Sequence, residues 1–256
     1  MVQADFEALW RSPDATVNLI AVRASFQYVK QVDMSNLAAT YGVLTKDFRS
    51  EVRTRYAFNA LLMFVVTAVT IILFALQEEN PNPEVLSGMF WVVVFFSGMS
   101  GLSRTFVSEE ERGTTLTLQL LTRSSVVYFG KLIFNILLSI ILSVSITMLY
   151  VVAFPGFIVQ SVSVFVISLL LGSVGLAAAT TIIAAIIAKA NTKGTLYPVL
   201  SFPILLPLLM TVMKATSIAL AGGGIGEALE QFQIMVSYIL VMVAGSYLLF
   251  DFVWND

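Results

Sequence analysis

Long apolar stretches dominate this chain, and its charged residues gather in the intervals between them. An α-helix rising 1.5 Å per residue needs about 20 apolar residues to cross roughly 30 Å of hydrocarbon. Six stretches meet that need: residues 58–76, 88–106, 132–154, 157–188, 195–220 and 234–254. The fourth is long enough to tilt or to extend beyond the bilayer. Between the first two lies an acidic loop, residues 77–86, where Pro81 and Pro83 break helices. Pro155-Gly156 reads as a tight turn, residues 189–193 as a short basic loop, and Gly222 to Gly226 as a flexible turn. The pattern predicts an all-α polytopic membrane protein with six transmembrane helices.

Residues 1–45 are weakly patterned and form a separate N-terminal segment ahead of the membrane domain, 46–256. Arg11, Ser12, Pro13 and Asp14 suggest a turn, and residues 17–32 a modest amphipathic helix. No charged n-region followed by an apolar core marks a signal peptide. Met34 opens a polar lead into the first apolar run, so the natural start is expected at Met34, with 1–33 an upstream extension. Recovery by mass spectrometry of a native peptide spanning Gln31 to Asn36 would overturn that expectation.

The longest charged interval, residues 104–131, is itself patterned. Glu109, Glu110, Glu111 and Arg112 precede Gly113, and then Leu116, Leu120 and Leu121 fall at helical spacing among Thr114, Thr115, Thr117 and Gln119. That spacing predicts a short amphipathic helix at a membrane surface, its acids toward the N-terminus and Arg123 toward the C-terminus, as the helix dipole favours. A solvated connecting loop is the plainer alternative.

Composition narrows the chemistry. Hydrophobic residues make up 58% of the chain and charged residues 12%, where soluble domains are nearer 45–50% and about 25%. A net charge of −2 offers no basic surface for nucleic acid. The chain has neither Cys nor His, which removes disulfides, thiol catalysis, imidazole bases and the usual haem axial ligand. Lys214 is the one ionisable residue well inside an expected span, near enough to its outer end to snorkel. No span carries the acid–base series of a proton-coupled pump, and no loop assembles a catalytic nucleophile and base. There is no G-x-x-x-x-G-K-[ST] sequence, and Gly222 to Gly226 lacks the strand and spacing of a nucleotide site. Small residues four apart (Ser97 and Gly101, Ser168 and Gly172, Gly175 and Ala179) suit close helix packing. Pro198, Pro203 and Pro207 are expected to kink the fifth span.

Lys and Arg near span ends set orientation. Lys46, Arg49, Arg53, Arg55, Arg104, Arg112, Arg123, Lys131, Lys189 and Lys193 fall on one side, and Glu78, Glu79, Glu84, Glu227 and Glu230 on the other. Both termini and the 104–131 segment are therefore expected in the cytoplasm.

Glu109 to Thr114, followed by Leu118, Leu120 and Leu121, resembles the acidic-x-x-x-Gly-Thr/Ser…Leu-Leu signature of ABC-2-type exporter permeases. Within that class the chain is similar to the haem exporter protein B (CcmB) family. The supporting stretches are Phe90-Trp91-Val92-Val93-Val94, Leu102-Ser103-Arg104-Thr105-Phe106, Gly130-Lys131, the run from Leu200 to Leu209 that holds Pro203 and Pro207, and Phe250-Asp251-Phe252-Val253. From Met34 onward the resemblance covers essentially the whole chain. Thr115, Leu116 and Thr122 depart from the family's usual Leu-Glu and Pro, which leaves the register of the docking helix less defined than its place.

The resemblance implies a permease subunit of a bacterial inner-membrane ABC transporter in cytochrome c maturation. It implies partners: a separate P-loop ATPase, other maturation membrane subunits and a periplasmic haem chaperone, and it admits a homodimer in the lipid bilayer. ATP would be bound by the partner, and haem would be the handled species, with no cofactor resident in this chain and no enzyme activity of its own. Glu109, Glu110, Arg112, Gly113, Thr114, Leu118, Leu120 and Leu121 would dock the ATPase: leucines by apolar contact, charges at the rim, Gly113 by permitting a turn. An ABC-2 permease for a lipid, drug or polysaccharide, and a non-transporting assembly factor, are the rival readings.

Because the native chain has no cysteine, single introduced ones report topology cleanly. Thr117→Cys should react with an impermeant thiol reagent only from the cytoplasmic face, and Glu84→Cys only from the opposite face. The reverse pattern would invert the orientation.

Overall fold

The computed structural model describes residues 36–53, 55–76, 81–102, 104–111, 113–189 and 196–255. The expected turn at 11–14, the helix at 17–32, Met34, Glu78, Glu79, Arg112 and Lys193 lie outside the described residues. The chain divides into two units, Met1–Ala39 and Thr40–Asp256. Among the described residues there are nine helices and no strand. They are α1 (Asn36–Arg53), α2 (Arg55–Leu76), α3 (Pro83–Leu102), α4 (Arg104–Glu111), α5 (Thr115–Leu121), α6 (Ser124–Ala153), α7 (Val162–Lys189), α8 (Leu196–Ala221) and α9 (Ile225–Asn255).

Five stretches among the described residues are long and apolar enough to cross a membrane: Pro83–Glu111, Ser124–Ala153, Val162–Lys189, Leu200–Ala221 and Ile225–Trp254. A shorter apolar run, Leu61–Leu76, lies in the 22-residue α2. The protein is an all-α, multi-pass membrane protein. Backbone groups in hydrocarbon must be satisfied internally, which only helices manage in a chain of this pattern.

Several boundaries differ from the sequence expectation for local reasons. Pro83 opens α3 rather than breaking the chain, because a proline at the first helical position lacks only an N–H that would be unpaired anyway. Asn82 caps that helix, its Oδ1 accepting the Val85 N–H at 2.9 Å. Helix α6 begins at Ser124, so Lys131 lies within it. The expected flexible glycine turn is an ordered connection. Gly222 has φ +87 and closes α8 in a Schellman motif, with the Gly223 N–H donating to the Ile218 carbonyl at 2.9 Å. Gly224 then donates its N–H to Glu227 Oε1 at 3.2 Å, the reciprocal half of a capping box opening α9.

The core is organised around α7, which packs against α8, α9, α6, α4 and α3. Its small residues make this feasible: Gly172, Gly175, Ala177, Ala178 and Ala179 are all buried. A Cβ on Gly172 would run into the Trp91 ring and come within 2.8 Å of Val212, and one on Gly175 would lie 2.8 Å from Leu208. Trp91 also donates its indole N–H to Thr216 Oγ1 at 2.8 Å, joining α3 to α8. Two expected small pairs, Ser168/Gly172 and Gly175/Ala179, thus lie wholly in the interior, and Ser97 is buried while Gly101 is half-buried against Leu61.

Pro203 and Pro207 lie inside α8, with their rings exposed. Pro198 lies in the first turn, where the missing N–H interrupts no ladder, so its position gives no reason for a kink. Lys214 is exposed on α8.

Gly172→Leu should overpack the α3–α7–α8 contact and destabilise the protein by about 1–3 kcal/mol. Gly226→Ala, where an added methyl meets nothing within 4 Å, should be tolerated. Thermal unfolding of the detergent-solubilised variants measures both, and an unchanged Tm for Gly172→Leu would refute this account of the packing.

Candidate functional site

The 104–131 segment folds as two short helices and the start of a long one. Helix α4 stops in a Schellman motif. Gly113, at φ +66, donates its N–H to the Glu110 carbonyl at 3.1 Å, and Thr114 donates to the Glu109 carbonyl at 3.0 Å. A side chain at residue 113 would meet open space yet would still be strained by that φ. Helix α5 follows for seven residues, and Thr122 ends it, donating both its N–H (3.0 Å) and its hydroxyl (2.8 Å) to the Leu118 carbonyl. The single expected amphipathic helix is therefore a broken one, hinged at the glycine.

Residues four apart share a helix face. On α4 this puts Thr105 above Glu109, and on α6 it puts Lys131 above Asn135; both faces turn inward. The Lys131 side chain is 1% exposed, and its ammonium has found acceptors on two other helices. It donates to the Thr105 carbonyl at 2.8 Å and to Glu109 Oε1 at 3.1 Å, and lies 3.0 Å from Asp47 Oδ2 on α1. The Phe106 ring sits 5.4 Å from the same nitrogen. Lys46, half-exposed, also pairs with Glu109 and stands 3.4 Å from Asp47. Thr114 donates its hydroxyl to Glu109 Oε2. Two carboxylates and two ammonium groups thus form a neutral cluster. An ammonium has three protons to place, and a buried charge left without partners would carry a desolvation penalty of several kcal/mol.

The cluster continues into the core. Thr105 shares its single hydroxyl proton between Asn135 Oδ1 at 2.7 Å and the Leu102 carbonyl at 2.9 Å. Asn135 donates to Thr181 Oγ1 at 2.9 Å, and Thr181 donates to the Ala177 carbonyl at 2.6 Å. Above the cluster opens a cleft of about 760 Å³, with Lys46, Asp47, Glu51, Arg104 and Glu111 among its charged walls and Leu118, Leu121 and Phe134 among its apolar ones.

At its far end α5 is tied to α9. Gln119 donates its amide to the Trp254 carbonyl, and Ser124, the first residue of α6, donates its hydroxyl to Asp251. Beside these bonds Phe250 stacks on Trp254 at 5.6 Å, with Phe106 5.7 Å and Tyr128 5.3 Å from Phe250. Helix α5 and its flanking residues are thus joined to α4, α6 and α9.

The residues singled out in the sequence separate into two sets. Glu109 is buried within the ion cluster, so its charge is spent internally rather than standing at a rim. Thr114 supports Glu109, Glu110 is half-buried and accepts the Thr115 hydroxyl at 2.9 Å, and Leu118 packs against the core. Gly113 is exposed at the turn. Leu120 and Leu121 point outward, 87% and 73% exposed. Pro203 and Pro207 belong to α8, outside the segment. Sequence reasoning missed Lys46, Asp47, Thr105, Lys131, Asn135 and Gln119. The available signal was the four-residue spacing of Thr105 with Glu109 and of Lys131 with Asn135, the latter being the one asparagine in the third apolar run.

Comparison with curated proteins returns no match. The family model described as CcmB protein matches residues 38–254, which take in the 104–131 segment and nearly all of the described helices. That match supports the haem exporter reading of the sequence. The chain belongs to the CcmB family, the membrane subunits of haem-exporting ABC transporters in cytochrome c maturation.

Proposed function

We propose that this chain couples ATP hydrolysis on a separate P-loop ATPase subunit to movement of its own membrane helices. The observation that carries the proposal is the pair Leu120 and Leu121: two large apolar side chains left exposed on a short helix held near both ends by part-buried polar bonds. Apolar side chains held out from a polar interval mark an interaction surface. With the 104–131 segment cytoplasmic, α5 is presented to a soluble partner, and α2 is the first of six spans in a bacterial inner membrane. Glu110 and Glu111 precede the contact and steer its register. The ATPase chemistry belongs to the partner, and this chain is a force-transmitting permease rather than an enzyme. The other maturation subunits hold the haem, because a chain without His has no imidazole to ligate its iron.

Burying a leucine contributes roughly 1.5–3 kcal/mol. Leu120→Asp combined with Leu121→Asp should therefore weaken association with the ATPase by at least about 100-fold and abolish cytochrome c maturation, while the solubilised subunit keeps its Tm. Co-purification and cytochrome c yield read the two effects. Retained ATPase binding would reject the docking role of α5. The purified wild-type subunit should show no tight haem uptake in an absorbance titration; a saturable haem complex would assign haem to this chain instead.

A further inference from the structure

Gly130 and Lys131 are consecutive residues of α6, and both face α1. Val43 and Asp47, four apart on α1, lie over them in turn. A Cβ on Gly130 would come within 2.8 Å of Val43 and 3.3 Å of the Thr40 carbonyl, so the missing side chain is what lets α1 approach closely. At that approach the Lys131 ammonium reaches Asp47 on α1 at 3.0 Å, and it simultaneously holds Glu109 and the Thr105 carbonyl on α4. One buried nitrogen therefore joins three helices that are remote in sequence. Glu109 in turn takes Lys46 of α1 on one side and the Thr114 hydroxyl at the head of α5 on the other. An ammonium offers three donors, and such charge-assisted bonds are stronger than neutral ones.

We propose that Lys131 is a positioning residue that makes α1, the α4–α5 segment and α6 a single moving body during the transport cycle. This rests on the coupling role proposed for α5. When the ATPase displaces α5, the ion cluster carries the displacement to α1 as well as to α6. The family match and the exposed leucines account for docking, but neither gives α1 a part in the cycle.

The test uses the full complex, with spin labels on introduced cysteines at Phe48 (α1), Thr117 (α5) and Lys214 (α8), all exposed. Pulsed electron resonance then gives the 48–117 and 117–214 distances with ATP and with ADP. The expected result is a nucleotide-linked shift in 117–214 and a constant 48–117 distance. In the triple variant Lys131→Met, Asp47→Asn, Glu109→Gln, no charge is left buried and unpaired. It should still co-purify with the ATPase through α5, yet its 48–117 distance should now shift with nucleotide, and its cytochrome c yield should be lost. A wild-type 48–117 distance that changes with nucleotide, or a triple variant with full cytochrome c yield, overturns the positioning role and leaves the docking of α5 standing. If the triple variant fails to fold, the wild-type 48–117 distance decides alone. The absence of any nucleotide-linked shift in 117–214 overturns the coupling role of α5 and this inference with it.

Discussion

An ammonium group withdrawn from water needs an acceptor for each of its protons and a counter-charge close by. Lys131 is under that constraint, and the end of the fold that carries α1, α4 and the start of α6 is shaped by meeting it. Helix α6 brings the lysine inward, α4 turns Thr105 and Glu109 toward it, and α1 supplies Asp47. None of these helices could rotate or slide by a residue without stranding a charge in the interior. A buried ion cluster is a weak source of net stability but a strict demand on geometry. Its value here is registration.

The same reasoning explains why the exposed segment between α3 and α6 is tied to its neighbours. An exposed connecting segment of this length would ordinarily be free to move. Here the Schellman turn at Gly113 satisfies the end of α4, Thr114 is bound to Glu109, and Gln119 is bound to the end of α9. With both ends tied to neighbouring helices, Leu120 and Leu121 are presented outward, 87% and 73% exposed. Deeper in the bilayer, contact through glycine and alanine on α7 replaces charge as the organising device. Close van der Waals packing holds helices together where no hydrophobic difference between lipid and side chain can.

Much of this was legible in the linear pattern. The length of the apolar runs requires helices that cross a bilayer, and the lack of Cys and His bounds the chemistry, whatever the packing. The glycine at 113, the tight turn at Pro155-Gly156 and the small residues of α7 could be assigned because each acts through its own backbone or its own size. Leu118, Leu120 and Leu121 and the family signature around them were likewise visible as a string of residues, but only the structure turns Leu118 to the core and leaves the other two exposed.

Only the tertiary structure could decide which charges were internal. Glu109 and Glu111 are indistinguishable neighbours in sequence, yet one is buried in an ion cluster and the other is exposed, because successive helical residues point about 100° apart. Lys131 looked like an ordinary loop cation beside the expected end of a span; α6 starting at Ser124 moved it indoors. Its partner Asp47 is 84 residues away along the chain. Local pattern determines which segments are helices and which face water, since those depend on neighbours within a turn or two. Pairing between remote charges depends on how the helices stack, and that is settled only when the whole bundle closes.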